Sequence, residues 1–345
     1  MGSLKMGVVG TNFVSDMFMK GVRLVDGVEV AAVCARHKER LEKFAAKYQI
    51  PKTYTDYHDL IQPGLLDAVY LAVPNHLHYE MTCYFLAHKI PVICEKPLAA
   101  NPFQVAEMAR MARENGVLLQ DGIAPLYVEN FQVLKELLSK IGRLRRAVFV
   151  QGKYSSRYDA YLRGENPPTF RREFCNGSLM DMGVYPISVA VGLFGKPRNI
   201  LSHTTKLPNG IDGMGSLIFI YDDFEVVILH SKVTNSSLLS EIQGEQGTIL
   251  IDRLSRVESL YLTPINEPRQ LIGEPTDEGF KYELLAFKEA ISQGRVEPRL
   301  VPHSLSLAIA EVMFAIRQES EIDFPCYGEA QSLERMRLSE NLLEK

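Results

Sequence analysis

Ile90-Pro91-Val92-Ile93-Cys94-Glu95-Lys96-Pro97 is an apolar run that ends abruptly in two charges and a proline. A strand buried in a parallel sheet reads as a continuous hydrophobic run. Charged side chains just past its carboxyl end lie where open α/β sheets bind their ligands. Lys96 is therefore placed for chemistry; the plainer alternative is a surface lysine beside a proline turn.

Outward from this run, the first 120 residues alternate regularly. Further apolar runs occur at Met6–Val9, Val28–Cys34, Ala68–Val73 and Val117–Leu119. Helical patterns lie between them at Val14–Leu24, Lys38–Tyr48, His78–Ala87 and Pro102–Glu114. Strands alternating with helices of this length predict an α/β fold with a parallel, doubly wound Rossmann sheet. After Pro125 the character changes. One helix is expected at Glu129–Lys140, then strands at Ala147–Tyr154, Asn199–Thr205, Gly215–Tyr221, Glu225–Val233, Leu238–Gln243 and Thr248–Ile251. Asp222-Asp223 reads as a hairpin turn. The partial alternation predicts an α+β unit with a large open mixed or antiparallel sheet, one face covered by helices. Ser178–Phe194 reads as a helix broken near Pro186. Helices at Tyr282–Ser292 and Ser304–Arg317 are expected to pack back on the first unit.

A chain of 345 residues allows about two domains. With 46% hydrophobic residues, 23% charged residues and a net charge of −4, it has an ordinary globular composition. No basic stripe points to nucleic acid. The apolar stretches read as too short for a membrane span, and nothing near the N-terminus has signal-peptide character. Position 6 is Met, so Gly2 does not open a myristoylation motif. Five scattered cysteines (Cys34, Cys83, Cys94, Cys175, Cys326) suit reduced thiols in a cytoplasmic protein.

Three further segments carry site character. The first βα turn, Gly10-Thr11-Asn12-Phe13-Val14-Ser15, matches a dinucleotide fingerprint strictly only at Gly10. Asn12, at the second glycine position, reads as a residue that tolerates the left-handed conformation. The turn is either a diphosphate cradle or a plain strand–helix turn. The second strand ends in Ala35-Arg36-His37, with Arg40 a turn later and no acidic residue for a ribose hydroxyl. That favours NADP over NAD; otherwise Arg36 and Arg40 are solvated helix-opening residues. Val73-Pro74-Asn75 with His78 lies at the same sheet edge and reads as cofactor lining. No metal is expected, because His76 and His78 point apart on a helix. Finally, Asp181 and Tyr185 share a helix face. A carboxylate beside a phenol in an apolar helix is costly to bury without purpose, unless Asp181 is a local cap.

Together, Gly10, Pro74-Asn75 with His78, Glu95-Lys96-Pro97-Leu98, Asp181–Tyr185 and Glu321–Pro325 resemble the glucose–fructose oxidoreductase/inositol dehydrogenase/rhizopine-catabolism (Gfo/Idh/MocA) family over nearly the whole chain. The resemblance implies an NAD(P)-binding Rossmann domain (1–123) and a substrate domain (124–345) whose open sheet carries the contact of a homodimer or dimer of dimers. It implies hydride transfer with a sugar, polyol or dihydrodiol-like small molecule. Lys96 matches the catalytic lysine, Tyr185 the proton donor or acceptor, and Asp181 the motif carboxylate. Gly10 to Val14, Arg36, Arg40, Val73 to Asn75, His78, Glu95 and Lys96 form the expected cofactor set. Tyr154, Arg157 and Tyr158, in the loop Lys153–Asp159, join Asp181 and Tyr185 as expected substrate contacts. Asn12 and Asn176 depart from the family's glycines. The tyrosine version of the helix motif resembles that of the dimeric dihydrodiol and NADP-linked xylose dehydrogenases.

On this reading Lys96 holds the reacting oxygen and lowers the pKa of Tyr185, which exchanges the hydroxyl proton. The alternatives are a non-catalytic NAD(P)-binding sensor of the same fold, and a non-redox enzyme that uses bound NAD transiently.

Overall fold

β1 (Leu4–Val9) is the centre of the first sheet, with parallel neighbours on both sides. The computed structural model describes residues 3–273 and 279–325; Cys326 lies outside them. α1 (Phe13–Val22), β2 (Val28–Cys34), α2 (Lys38–Tyr48), β3 (Lys52–Tyr54) and β4 (Ala68–Leu71) follow. Then come α3 (His78–Ala87), β5 (Val92–Glu95), α4 (Pro102–Asn115) and β6 (Leu119–Gly122). All pairings are parallel, in the order β3-β2-β1-β4-β5-β6. The order reverses between β1 and β4, so a crevice opens beyond their carboxyl ends. β5 is fully buried, as its apolar run predicts, and delivers Lys96 to that edge. β3, which the apolar pattern does not announce, is a largely exposed edge strand of three residues.

The second half contains α5 (Glu129–Leu137), β7 (Leu144–Gly152), α6 (Tyr158–Leu162) and α7 (Val184–Phe194). β8 (Asn199–Lys206), β9 (Asp212–Ile220), β10 (Glu225–Ser231), β11 (Ser240–Gly244), β12 (Gly247–Asp252), β13 (Ser259–Pro264) and β14 (Gln270–Gly273) complete a mixed sheet. Its order is β14-β13-β12-β11-β7-β10-β9-β8, antiparallel except for β7 with β10. β9 and β10 are joined through Asp222-Asp223, with Tyr221 N–H donating to Phe224 O. One face of this sheet, including Phe149, Leu217, Phe219, Ile228 and Ile249, packs against α5, α7 and the last helix. The opposite face carries Leu201, Met214 and Ile218 toward the surface.

α8 (Gly279–Ser292) and α9 (His303–Glu319) return to the first sheet. Leu284 and Phe287 of α8 join the core beneath β1 and β4, and Gly21 of α1 lets the Phe280 backbone approach closely. α9 lies between α4 and α7, and its buried Arg317 donates to Ala100 O at 2.8 Å.

The helix expected to break at Pro186 does so one turn earlier. A wide π-type turn, Leu179–Gly183, precedes α7, and Pro186 sits in the first regular turn. The widened turn precedes the ring of a residue that has no N–H to donate. Arg172–Phe194 also corrects the expectation about apolar length. By length and composition this stretch could cross a membrane, yet 67% of its most apolar window is packed inside the protein.

Candidate active site

Lys96 enters the site from the end of β5, and Asp181 from the wide turn before α7. The Lys96 ammonium donates to the Asp181 carbonyl at 3.1 Å and to Asp181 Oδ1 at 3.2 Å. In a π-type turn the i to i+4 ladder is interrupted, which leaves a backbone carbonyl for a side chain. The same ammonium lies 4.6 Å from the centre of the Tyr185 ring. Three residues from separate halves of the chain thus meet in one cluster.

Lys232, just past β10, grips the other side of Asp181. Its Nζ is 3.4 Å from Asp181 Oδ2 and donates to Thr169 O at 2.7 Å. Its side chain is wholly buried, with the ammonium 4.7 Å from the centre of the Phe170 ring. Reading the sequence motif by motif passes over this residue, because it stands in no motif. The available signal was an uncompensated lysine closing an apolar strand.

The electrostatics follow from this pairing. Burial pushes the Asp181 carboxyl up, but Lys96 and Lys232 more than offset it and hold it at about 2. Burial works against the Lys96 ammonium, yet Tyr185, Asp181 and Glu95 outweigh it and raise its pKa. Tyr185 corrects an expectation. Burial raises its pKa, and Glu95 and Asp181 add to that, so Lys96 only moderates the rise. In this arrangement the phenol is protonated at neutral pH.

The wide turn is anchored from behind. Gly177 has φ +148 and lies so close to β9 that a Cβ would stand 1.8 Å from Asp212 Oδ1. Asp212 accepts from the Leu179 N–H, and Ser178 Oγ lies 2.8 Å from His230 Nδ1.

At the first βα turn, Gly10 has φ +108, and a Cβ there would stand 2.1 Å from Ala72 O. Only glycine permits this approach, and the bare turn fits the backbone cradle that a dinucleotide diphosphate requires. Thr11 is half-buried, Phe13 is 71% exposed and Val14 is half-buried at the start of α1. Asn12 is not left-handed; its φ is −105. Instead its side chain caps α1, accepting from Val14 N and Ser15 N at 2.8 and 3.2 Å and donating to Ala72 O at 2.8 Å. Arg36 and Arg40 are exposed beyond β2, and Arg36 is near enough to His76 to join burial in lowering its pKa.

Two expected cofactor contacts are scaffold instead. His78 is fully buried, with its ring nitrogens 2.9 Å from Pro97 O and Val73 O, so no polar atom remains for a ligand. Glu95 points inward and accepts from Tyr70 Oη at 2.6 Å. Val73 and Pro74 are half-buried at the sheet edge, and Asn75 Nδ2 donates across to Cys175 O at 2.8 Å. His76 stacks on Phe174, with centroids 4.6 Å apart.

Among the expected substrate contacts, Tyr158 stacks on Phe170 at 5.6 Å and so adjoins Lys232. Tyr154 packs edge-on against Tyr158 and donates to Asp159, while Arg157 is exposed. Behind Lys96 a cavity of about 20 Å³, lined in part by Asp121, Ser188 and Ser306, has room for roughly one water.

Residues 4–123 match the family described as "Oxidoreductase family, NAD-binding Rossmann fold", and residues 131–250 match the "GFO/IDH/MocA C-terminal domain". The chain belongs to the Gfo/Idh/MocA oxidoreductase family. It is similar to the scyllo-inositol 2-dehydrogenase (NADP(+)) of Bacillus subtilis, at 36% identity over 93% of this chain and 98% of that protein. An uncharacterized oxidoreductase of Escherichia coli shows the same identity and coverage. The mouse trans-1,2-dihydrobenzene-1,2-diol dehydrogenase is 27% identical over 94% of this chain and 98% of its own length. A 3-ketoreductase from Actinomadura kijaniata, solved with NADP and TDP-benzene, shares the fold with a TM-score of 0.83 at 20% identity, covering 92% of this chain and 98% of that one. As a Gfo/Idh/MocA member, the chain is an NAD(P)-dependent oxidoreductase.

Proposed function

We propose that the chain is an NADP-linked dehydrogenase or reductase acting on a ring hydroxyl, or the matching ketone, of a polyol, sugar or dihydrodiol. The observation that carries this reading is the convergence of Lys96, Asp181 and Tyr185 at the carboxyl edge of the parallel sheet. Similarity along the whole length to an NADP-named inositol dehydrogenase supports the substrate class. The basic pair Arg36 and Arg40 beyond β2, with no carboxylate between Ala35 and Lys38, supports the 2′-phosphate.

The dinucleotide, held at the Gly10 turn with Thr11, Phe13 and Val14 beside it, supplies the hydride acceptor or donor. Lys96, kept charged by Asp181, donates a hydrogen bond to the reacting oxygen and stabilises negative charge there. Tyr185 holds the exchangeable proton at its Oη. In reduction it gives that proton to the oxygen; in oxidation it receives one, and the Lys96 charge favours its ionised form. Asp181 fixes Lys96. Tyr158, stacked on Phe170, and Tyr154, edge-on to Tyr158, line the substrate side, with Arg157 at the rim. The division falls at 123/124, between a dinucleotide unit and a substrate unit. The apolar face around Leu201, Met214 and Ile218 pairs two copies, and the enzyme works in the cytoplasm.

The test is absorbance at 340 nm with NADP+ and NAD+ against inositols, pentoses, hexoses and dihydrodiols. Turnover of a cyclic polyol or sugar with NADP+ is expected. Dinucleotide binding without turnover across the whole panel removes the reading. Light scattering that gives a monomer removes the pairing.

A further inference from the structure

We infer that Lys232 is a positioning residue for the reaction proposed above: its ammonium fixes the far oxygen of Asp181, so that the near oxygen and the carbonyl of that residue stay on Lys96. The inference rests on the assignment of Lys96 and Tyr185 in that reaction, but its geometry stands independently. Asp181 is the one carboxylate of the cluster that contacts both lysines, Oδ1 with Lys96 and Oδ2 with Lys232. A carboxylate held at one oxygen can swing about its side-chain torsions. Held at both oxygens, it presents one orientation.

Neutralising Asp181 does not explain Lys232, because Lys96 already does so. A buried ammonium is expensive unless paired, and here the surroundings are built for it. It has the Thr169 carbonyl, the Phe170 ring and the Asp181 carboxylate as partners, and the Asp212 carboxyl of β9 within electrostatic reach. The groups that face Tyr185 are Lys96, Asp181 and Glu95. Lys232 is not among them, so it acts on the phenol through Asp181 and Lys96, and it is the Lys96 charge that favours the ionised phenol and a developing oxyanion. Lys232 also ties the catalytic carboxylate to the 168–170 segment, on whose Phe170 ring Tyr158 and Tyr161 stack. Order in that aromatic wall is thereby coupled to the orientation of Asp181.

The test uses the full-length enzyme with Lys232→Met. NADPH affinity, followed by fluorescence, stays unchanged, because the dinucleotide turn follows β1 of the parallel sheet whereas Lys232 follows β10 of the mixed sheet. The kcat for the best substrate of the panel falls by up to about 100-fold, the loss expected when a catalytic group is misplaced. The rise of kcat/KM with pH in the oxidation direction moves to higher pH, since Lys96, no longer held by Asp181, is drawn away from Tyr185. Combining the change with Asp181→Asn costs no more than Asp181→Asn alone, as required if Lys232 acts through Asp181. Should Lys232→Met not fold, Lys232→Gln carries the same measurements. A crystal structure of the variant shows Asp181 turned away from Lys96. An unmoved Asp181 together with a wild-type kcat and pH profile overturns the assignment. If the wild-type enzyme turns over nothing in the panel, the proposed function fails, and the crystal structure alone still decides where Lys232 acts.

Discussion

The Lys96 ammonium lies 4.6 Å from the centre of the Tyr185 ring, although one residue ends a strand of the parallel sheet and the other opens a helix against the mixed sheet. The two halves of the fold therefore share one cluster of charge. Changes on either side are read out on the other.

Replacing Lys96 with Met removes the charge that holds the reacting oxygen but leaves the Gly10 turn intact. Turnover falls by about 10²–10⁴-fold, the range for loss of a positioned proton-transfer partner. NADPH binding, measured by fluorescence, stays within about twofold. Unchanged turnover removes Lys96 from the mechanism.

Exchanging Arg36 for Glu places a carboxylate where the 2′-phosphate is proposed to sit. The KM for NADP+ rises by at least about tenfold, while that for NAD+ falls or holds. Equal effects on both cofactors show that Arg36 does not read the phosphate.

Asn12→Gly frees the Val14 and Ser15 N–H groups that the Asn12 side chain now occupies. Glycine is itself a tolerable cap, so the helix loses only a few tenths of a kcal/mol. NADPH binds severalfold tighter by titration calorimetry. Weaker binding indicates instead that the Asn12 side chain itself contacts the diphosphate.

Gly10→Ala forces a Cβ onto the Ala72 carbonyl at a φ that disfavours any side chain. The expected loss of stability is about 3 kcal/mol, seen as a lowered urea midpoint. A variant as stable as the wild type shows that β1 and β4 can separate.

Asp121 supplies a pH dependence with a definite sign. Burial, with Glu95 nearby, pushes its carboxyl up to about 7 despite the adjacent Ser306 hydroxyl. The folded-state value lies above the unfolded one, so the folded protein binds the extra proton. Its contribution is complete below about pH 4 and is lost as pH rises through 7. Asp181 runs the other way, because its contribution disappears only as pH falls through about 2. The difference between the two proteins isolates this group, since the wild type loses stability relative to Asp121→Asn, a neutral mimic of the protonated carboxyl, as pH rises from about 4 to 7 in denaturant melts. A difference that does not change with pH removes Asp121 as its source.

Much of the frame was legible because its physics is local. Val28–Cys34, Lys38–Tyr48 and His78–Ala87 appear with the same limits as their sequence patterns. β3, β13 and β14 were missed. The first is three residues long and largely exposed, and β14 is an exposed edge strand of four residues, while β13 is half-buried between β12 and β14 and its short alternation Leu260, Leu262 was passed over. Proximity of Lys96, Asp181 and Tyr185 followed from motif and topology. What each polar group faces did not. His78 and Glu95 turn inward because Val73 O, Pro97 O and Tyr70 Oη lie there, which depends on neighbouring chain segments. Asn12 sits where a glycine was expected, yet its backbone is extended and its function is capping. Lys232 offered only the weak signal of a lysine closing an apolar strand, since its partner Asp181 comes from the wide turn folded over it.

The wide turn at Leu179–Gly183 makes residue count matter in this helix. A regular α-helix advances about 100° per residue. The wide turn holds one residue more than the i to i+4 pattern of a regular helix. A single deletion between Ser178 and Val184 would let it close to an ordinary turn, with Ser178 still beside His230 and the phase of α7 nearly unchanged. A deletion within Ile187–Phe194 has no such slack and would rotate everything beyond it by about 100°.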